Sequence, residues 1–367
     1  MNAPLLPADL LNRSDKILFI AHLALGDYTY LQNCFEAFAR AYPHLKLHLW
    51  VDEVRRTSDA AQWPHLQKNV LYDWVNACDF IDKVYQQTYS PELFQASIRD
   101  AQQEHYPIVV SLGTLRPHFY AGLARAISPD GFVVGMKKPL GLANLVHWLS
   151  FRKLDASLPP DVADRASAPH ISDVYAGWFR QIAGVDVPPA ARIPFVHIPE
   201  RFVEGAKARL HEWGFDGRTG KLVFINPFAK TRKRCWPVER VVELITTMRA
   251  QPEWRDACFI VNAVPQEVDN VKALLAERRL DRTELFSANE NFFQLPAMLA
   301  QCDLIVSVET AVMHLANAVG VPVVALMRQK TPEWVPVDKA NSTVIMAEQR
   351  RDWVKAIPVD AVMHALA

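Results

Sequence analysis

Residues 304–327 read LIVSVETAVMHLANAVGVPVVALM and are the stretch that decides the fold. The run Leu304–Ser307 is short and apolar, as in a buried strand. A polar turn follows, then a helical pattern over Thr310–Val319 and a second apolar run over Pro322–Met327. A strand, a helix and a strand in succession indicate a parallel sheet covered by helices. We therefore predict an α/β fold.

The same alternation continues towards both ends of the chain. Helical spacing follows the first apolar run, where Tyr28, Leu31 and Phe35 recur every three or four residues. Further strands are predicted at Lys16–Leu25, Leu45–Val51, Ile108–Leu112, Phe132–Val134, Leu222–Asn226, Cys258–Asn262 and Glu284–Phe286. The pattern is interrupted once, by Val185–Glu200, which holds four prolines and is typical of an extended linker.

Two α/β units joined by a proline-rich linker predict two Rossmann-like domains that face a central cleft. The predicted ranges are 1–185, a linker over 186–200, and 201–345. In such folds a ligand binds beyond the carboxyl ends of the strands. Residues that carry chemistry are therefore expected at the carboxyl ends of the strands.

Composition excludes several classes of protein. The 367 residues include 40 Lys and Arg against 40 Asp and Glu, so the formal net charge is zero, which argues against a nucleic-acid partner. The five cysteines are widely spaced and form no CxxC pair, which argues against structural zinc and a disulfide framework. No apolar run is long enough to span a membrane, and residues 1–16 lack a basic leader, so we predict a cytoplasmic protein.

The first strand ends in Ala24-Leu25-Gly26-Asp27. A carboxylate at this position can act as a general base when it lies within hydrogen-bond reach of a substrate hydroxyl. The alternative is a helix cap, since aspartate is favoured at helix N-termini. The glycines do not form GxGxxG, which argues against an NAD-dependent dehydrogenase.

Two further strand ends are suited to anions. The loop from Asn226 to Pro237 holds four cations within Lys230–Arg234, which could trap a diphosphate or could be an ordinary solvated run. Ser307–His314 places a helix N-terminus after a strand, where backbone N–H groups could bind phosphate and Glu309 could accept hydrogen bonds from sugar hydroxyls. The alternatives to ligand binding are that Glu309 caps the helix and that His314 is a buried core residue.

Together these segments resemble glycosyltransferase family nine, the ADP-heptose:lipopolysaccharide heptosyltransferases. The ALGD turn at Ala24–Asp27 and the RCWP close at Arg234–Pro237 match two family motifs. The most specific match is CDLIVSVETAVMHLANA over Cys302–Ala318, with Pro322 in register.

The resemblance implies a GT-B fold with an N-terminal acceptor domain, a C-terminal nucleotide-sugar domain, and a C-terminal helix over 346–367 that crosses back to the first domain. It implies an inverting sugar transfer without metal or other cofactor, with Asp27 as the general base. The co-substrate would be a nucleotide sugar, with ADP-heptose as one candidate. The acceptor would be a glycan or lipid-linked glycan of lipopolysaccharide type, met by a cytoplasmic protein peripheral to the inner membrane.

The resemblance also implies site residues. Those expected at the donor are Asn226, Lys230, Thr231, Arg234, Glu267, Glu309, Thr310, Ala311, His314 and Lys330. Those expected at the acceptor are Gly26, Arg116, Lys137 and Lys138.

The sequence departs from the family pattern in three places, besides Arg234, which stands where the family commonly has a lysine. Glu309 replaces an aspartate, Ala311 replaces a glycine, and Arg328-Gln329-Lys330 replaces Gly-Pro-Thr. A different sugar or nucleotide therefore stays open as the donor. So do two other functions, a sugar-nucleotide epimerase or hydrolase of the same fold and a non-catalytic nucleotide- or glycan-binding scaffold.

Overall fold

The structure is a computed structural model that describes residues 3–137, 148–159, 169–215 and 220–366. The chain divides into two compact units, Met1–Arg192 and Ile193–Ala367. The boundary between Arg192 and Ile193 falls inside the 186–200 segment predicted as the linker.

The first unit is a parallel six-stranded sheet flanked by helices. Its elements are α1 (Ala8–Arg13), β1 (Lys16–Ala21), α2 (Leu25–Ala41), β2 (Lys46–Val51), α3 (Trp63–Gln67), α4 (Val70–Asn76), β3 (Lys83–Tyr85), α5 (Pro91–Gln103), β4 (Ile108–Ser111), α6 (Pro117–Ile127), β5 (Phe132–Met136), α7 (Trp148–Phe151), β6 (Ala156–Leu158) and α8 (Ile171–Ala183). The strand order is β3-β2-β1-β4-β5-β6.

The second unit repeats this topology. Its elements are α9 (Glu200–Glu212), β7 (Leu222–Asn226), α10 (Val238–Arg249), β8 (Cys258–Asn262), α11 (Val268–Arg278), β9 (Thr283–Phe286), α12 (Gln294–Leu299), β10 (Leu304–Val308), α13 (Ala311–Ala318), β11 (Val323–Met327), β12 (Ser342–Met346) and α14 (Val359–Leu366). The order β9-β8-β7-β10-β11-β12 corresponds strand for strand to the first sheet.

The aromatic core of the first unit fixes where two of its helices lie. Phe19 on β1 is fully buried, and its ring centroid lies 5.3 Å from those of Phe35 and Phe38 on α2. Phe179 on α8 stacks on the same ring at 5.5 Å. Each such buried side chain contributes about 1.5–3 kcal/mol through burial. Helices α2 and α8 are therefore held side by side on one face of the sheet.

The shared topology also explains where a site can form. In each unit the chain direction across the sheet reverses between two central strands, β1 and β4 in one and β7 and β10 in the other. The loops that follow these strands diverge and leave a crevice at the carboxyl edge. Asp27, Arg116 and Glu309 follow β1, β4 and β10, and Asn226 is the last residue of β7.

The structure corrects several predicted boundaries. β1 ends at Ala21 rather than Leu25, because Gly26 and Asp27 already belong to the first turn of α2. The helix predicted over 346–367 is only α14, since β12 runs to Met346 and the helix starts after Pro358. Val359 and Val362 of α14 are buried in the core of the second unit. That the segment crosses back to the first unit stays a prediction. No helix within the described ranges is long and apolar enough to cross a membrane.

Candidate functional site

Asp27 lies in the first turn of α2, with Gly26 beside it. Its Oδ2 accepts a hydrogen bond from the Ala24 backbone N–H at 3.0 Å, so the capping role weighed from the sequence is present. Its Oδ1 accepts a hydrogen bond from the Tyr175 hydroxyl on α8 at 2.9 Å. Capping uses one oxygen only, and the carboxylate keeps further acceptor positions.

The surroundings of Asp27 favour a base over an ordinary surface carboxylate. Burial raises the pKa of Asp27 above its ordinary value, although the bonds from Ala24 and Tyr175 and the charge of His22 oppose this. Burial also lowers the pKa of His22 below its ordinary value. A carboxylate whose pKa is raised towards neutrality accepts a proton more readily.

A second carboxylate lies at the same sheet edge. Asp52 follows β2, is buried, and accepts hydrogen bonds from the Tyr120 hydroxyl at 2.9 Å and from Arg56. Tyr120 stacks on His22 with ring centroids 5.9 Å apart. Gly113 allows this approach, because a Cβ there would lie 2.3 Å from the Tyr120 ring.

Arg116, one of the residues predicted at the acceptor, lies near Tyr120 and His22. It is exposed, adopts the left-handed region at φ 53°, and precedes α6. Non-glycine residues hold that conformation only where the surroundings impose it. Lys137 follows β5 and donates its backbone N–H to Leu158 at 2.9 Å. Lys138 lies outside the described residues.

In the second unit, a buried amide ties three strand ends together. The Nδ2 of Asn226 donates to the hydroxyls of Thr310 at 3.0 Å and Ser307 at 3.1 Å. Its Oδ1 accepts from the Asn262 amide at 2.8 Å. That Asn226 binds the donor stays a prediction; in the structure its polar atoms are engaged within the chain. The Asn226 amide therefore links the ends of β7, β8 and β10 to one another.

The loop between Asn226 and Pro237 is closed by its own contacts. The Trp236 backbone N–H donates to the Pro227 carbonyl at 2.8 Å, and the buried indole donates to the Ile357 carbonyl at 2.9 Å. The cations in the middle of the loop take no part in these two hydrogen bonds. Lys230 and Thr231 are exposed, and Arg234 ends a short 3-10 helix with 40% of its side chain exposed.

Two of the departures noted in the sequence contact each other. Arg328 donates three bonds to Glu309, Nε to Oε2 at 3.0 Å, Nη2 to Oε1 at 2.8 Å and the backbone N–H to Oε2 at 3.3 Å, and both side chains are buried. The Thr331 hydroxyl donates to Oε1 at 2.9 Å, and Arg234 lies 3.7 Å away. Burial alone would raise the pKa of Glu309, but these bonds hold it below its ordinary value. A sugar hydroxyl would have to compete with them for Glu309.

Helix α13 presents its N-terminus at the same edge. Thr310 caps it by accepting from the Val312 N–H at 3.3 Å, and Ala311 begins the helix. His314 is buried on this helix, with its ring 6.1 Å from Trp334, as in the core alternative. Glu267 follows β8 and accepts a hydrogen bond from the Asn270 amide at 3.0 Å.

A match to a known family covers this part of the chain. Residues 179–356 match the model of glycosyltransferase family 9 (heptosyltransferase). This part of the chain belongs to glycosyltransferase family 9. No protein of curated function matches the chain.

Solved structures extend the likeness to both units. A family 9 glycosyl transferase from Veillonella parvula superposes with a TM-score of 0.72 at 17% identity, covering 96% of this chain and 95% of that one. The ADP-heptose lps heptosyltransferase II of E. coli gives 0.66 at 15% identity, covering 96% and 97%. The E. coli heptosyltransferase WaaC with ADP gives 0.63 at 16% identity, covering 96% of each. The two parallel units thus have the GT-B fold of these family 9 proteins.

The family 9 part of the chain also contains a residue that the sequence reasoning missed. Trp353 is half-buried, and three cations lie over its ring. They are Arg328 at 5.2 Å, Lys233 at 5.4 Å and the predicted donor residue Lys330 at 5.7 Å from the ring centroid. The indole thereby draws cations from two loops to one place.

The structure therefore gathers the predicted donor residues into two groups. Arg234 lies beside Glu309, next to Thr310 after β10, and Lys330 lies over Trp353 after β11, whereas Glu267 lies after β8. Within the described ranges, no group of three or more His, Cys, Asp or Glu is placed to hold a metal ion.

Proposed function

We propose that the chain is an inverting, metal-independent glycosyltransferase that moves a sugar from a nucleoside-diphosphate donor to a hydroxyl of a glycan. The observation that carries this proposal is Asp27, a carboxylate at the carboxyl edge of the first sheet whose pKa is raised by burial. The family of residues 179–356 supports the transfer of a glycosyl group.

In this mechanism Asp27 takes the proton of an acceptor hydroxyl as the hydroxyl oxygen attacks the anomeric carbon. The oxygen arrives on the side opposite the departing diphosphate, so the configuration of that carbon is inverted. Negative charge grows on the diphosphate as it leaves. Arg234, Lys230 and the first N–H groups of α13 can stabilise this charge, because fixed cations and helix N-termini favour developing anions.

For the donor we propose an ADP-linked sugar, with heptose as the first candidate. One E. coli relative of the same fold was solved with ADP and with ADP-2-deoxy-2-fluoro heptose. The Glu309–Arg328 pair distinguishes the sugar end of this site from the family pattern, so other ADP-sugars belong in the same screen.

For the acceptor we propose a lipid-linked glycan of lipopolysaccharide type, reached by a cytoplasmic protein at the surface of the inner membrane. Trp148 and Leu149 on α7 are 46% and 65% exposed, and Arg152 lies over the Trp148 ring. Aromatic and basic side chains together suit a membrane interface.

The first test is calorimetric titration with ADP, UDP and GDP in the presence of a chelator. We expect ADP to bind most tightly without metal. Preference for UDP or GDP would replace the donor, and binding that requires a divalent cation would contradict the metal-independent mechanism. Failure of all three to bind would favour the scaffold, and donor breakdown or isomerisation without an acceptor would favour the hydrolase or epimerase.

The second test is Asp27→Asn. We expect turnover to fall by about 10²–10⁴-fold, as for loss of a general base, while donor affinity measured by calorimetry stays unchanged. The amide can still accept the Ala24 N–H bond, so the helix start is preserved. An equal loss of turnover and donor binding would instead give Asp27 a purely structural role.

A further inference from the structure

Tyr175 reaches Asp27 because two helices are packed side by side. The two residues are 148 positions apart, on α8 and α2, and the phenylalanine stack around Phe19 fixes these helices together. Tyr175 is 4% exposed, so its hydroxyl is largely withdrawn from water. Among the described residues, Asp27 is the one side chain to which this hydroxyl is hydrogen-bonded, at 2.9 Å.

The bond from Tyr175 completes the fixation of the carboxylate. Oδ2 of Asp27 is held by the Ala24 N–H at 3.0 Å and Oδ1 by the Tyr175 hydroxyl. One bond to each oxygen determines the plane of the carboxylate. Ionised carboxylates accept about four hydrogen bonds, so each oxygen keeps a lone pair for a substrate proton.

We propose that Tyr175 is a positioning residue that orients the Asp27 carboxylate and keeps it ionised for proton transfer. The proposal rests on the proposed function, in which Asp27 is the base. Tyr175 touches neither substrate nor the reacting atoms. It acts through Asp27 alone.

The electrostatic balance at Asp27 explains why one hydroxyl matters. Burial favours the protonated acid, whereas the Ala24 N–H, the Tyr175 hydroxyl and His22 favour the carboxylate. Burial also raises the pKa of Tyr175 well above its ordinary value, so this phenol stays a donor throughout the range of an assay.

Other titratable groups on the elements around Asp27 are engaged elsewhere. On α8, Asp173 pairs with Arg192 and Arg180 pairs with Asp186. The remaining titratable groups that face Asp27, Tyr175 or His22, or that lie on α2 and α4, are Tyr28, Tyr30, Cys34, Glu36, Arg40, Asp52, Tyr72, Asp73 and Arg116. None of these replaces the Tyr175 bond to Asp27.

The test is Tyr175→Phe, which removes one oxygen and keeps the ring. The pH profile of kcat/KM is measured for transfer from the donor established by calorimetry. We expect the acid limb to move up by about one pH unit, because a hydrogen bond to a charged group is lost. At pH values below the acid limb, we expect the kcat of Tyr175→Phe to be roughly tenfold lower than that of the wild type. Its donor affinity is expected to be unchanged. A profile identical to wild type would overturn the proposal.

Tyr42→Phe is the matched control. Tyr42 is the C-cap residue of α2, and its hydroxyl donates to the Ala183 carbonyl at the end of α8 at 2.8 Å. Its loss weakens the same helix pair without touching Asp27, so we expect the wild-type profile. A shift of the same size in this variant would mean that loosening of the helices is responsible, and would overturn the positioning role.

A measurement without substrate separates this proposal from the proposed function. In aspartate carboxyl ¹³C NMR, the Asp27 resonance is assigned by its absence in Asp27→Asn, and its pKa is expected to be higher in Tyr175→Phe. An unchanged pKa together with an inactive Asp27→Asn variant overturns the role of Tyr175 alone. Full turnover by Asp27→Asn overturns the base itself, and with it the role of Tyr175.

Discussion

The Glu309–Arg328 pair predicts a large and pH-dependent loss of stability in Arg328→Met. Only 6% and 7% of the two side chains are exposed, and both carboxylate oxygens are bound by the guanidinium. Methionine fills much of the same volume and keeps the backbone N–H bond to Oε2, but the buried carboxylate is left with Thr331 and the more distant Arg234 as its side-chain neighbours. Removing one partner of a buried pair costs about 3–5 kcal/mol. We expect about 3 kcal/mol at pH 7, because these two neighbours remain.

The sign of the pH dependence follows from the pKa of Glu309. In the wild type that pKa is held below its ordinary value, so the contribution of the pair is present at neutral pH and is lost as the pH falls through the folded-state pKa. In Arg328→Met burial dominates and the pKa rises above its ordinary value. The folded variant then takes up a proton on acidification. The difference in the free energy of unfolding between wild type and Arg328→Met therefore becomes smaller from pH 7 towards pH 5.

Urea unfolding, monitored by circular dichroism at pH 7 and at pH 5, measures this difference in the free energy of unfolding. The control is Glu309→Gln combined with Arg328→Met, in which no charge is left buried. We expect the double variant to regain at least 1 kcal/mol relative to Arg328→Met at pH 7. A cost below about 1 kcal/mol for Arg328→Met, or a double variant less stable than the single one, would refute the assignment of a buried, mutually dependent pair.

Two other predictions concern the neighbouring sites. Arg234→Ala should weaken binding of the nucleoside diphosphate roughly tenfold and leave nucleoside affinity unchanged, as measured by calorimetry, because the guanidinium is assigned to phosphate; an equal loss for both ligands would contradict that assignment. Gly113→Ala places a Cβ 2.3 Å from the Tyr120 ring and should cost about 1–3 kcal/mol in urea unfolding as the ring is pushed from Asp52. Gly205→Ala, where a Cβ meets nothing within 4 Å, is its control and should not lower stability.

The sequence predicted the sheets well because both are built from buried parallel strands with an unambiguous pattern. Strands β3, β6 and β12 were missed, since all three lie at sheet edges and most of their side chains are half-buried or exposed. The C-terminal helix was predicted too long for a related reason. Apolar residues around Trp353 and Val354 resemble helical spacing, but Pro358 delays the helix to Val359.

The site was predicted as far as strand ends can indicate it. Asp27, Arg234 and Glu309 were found because each follows an apolar run. Asp52 carries the same signal directly after β2 and could have been found. Tyr175 could not, because helical periodicity does not say which distant helix lies alongside. The pairing of Glu309 with Arg328 depends on β10 and β11 being neighbours, which brings their carboxyl ends together.

The two cores have a consequence for how the chain can be divided. The segment that matches family 9, residues 179–356, starts inside α8 and stops before α14. It therefore takes Phe179 from the aromatic cluster of the first unit and omits Val359 and Val362 from the core of the second. The boundaries of the family match are thus not those of the two compact units. An expressed fragment needs to start near Ile193 and retain α14 to keep its apolar interior closed.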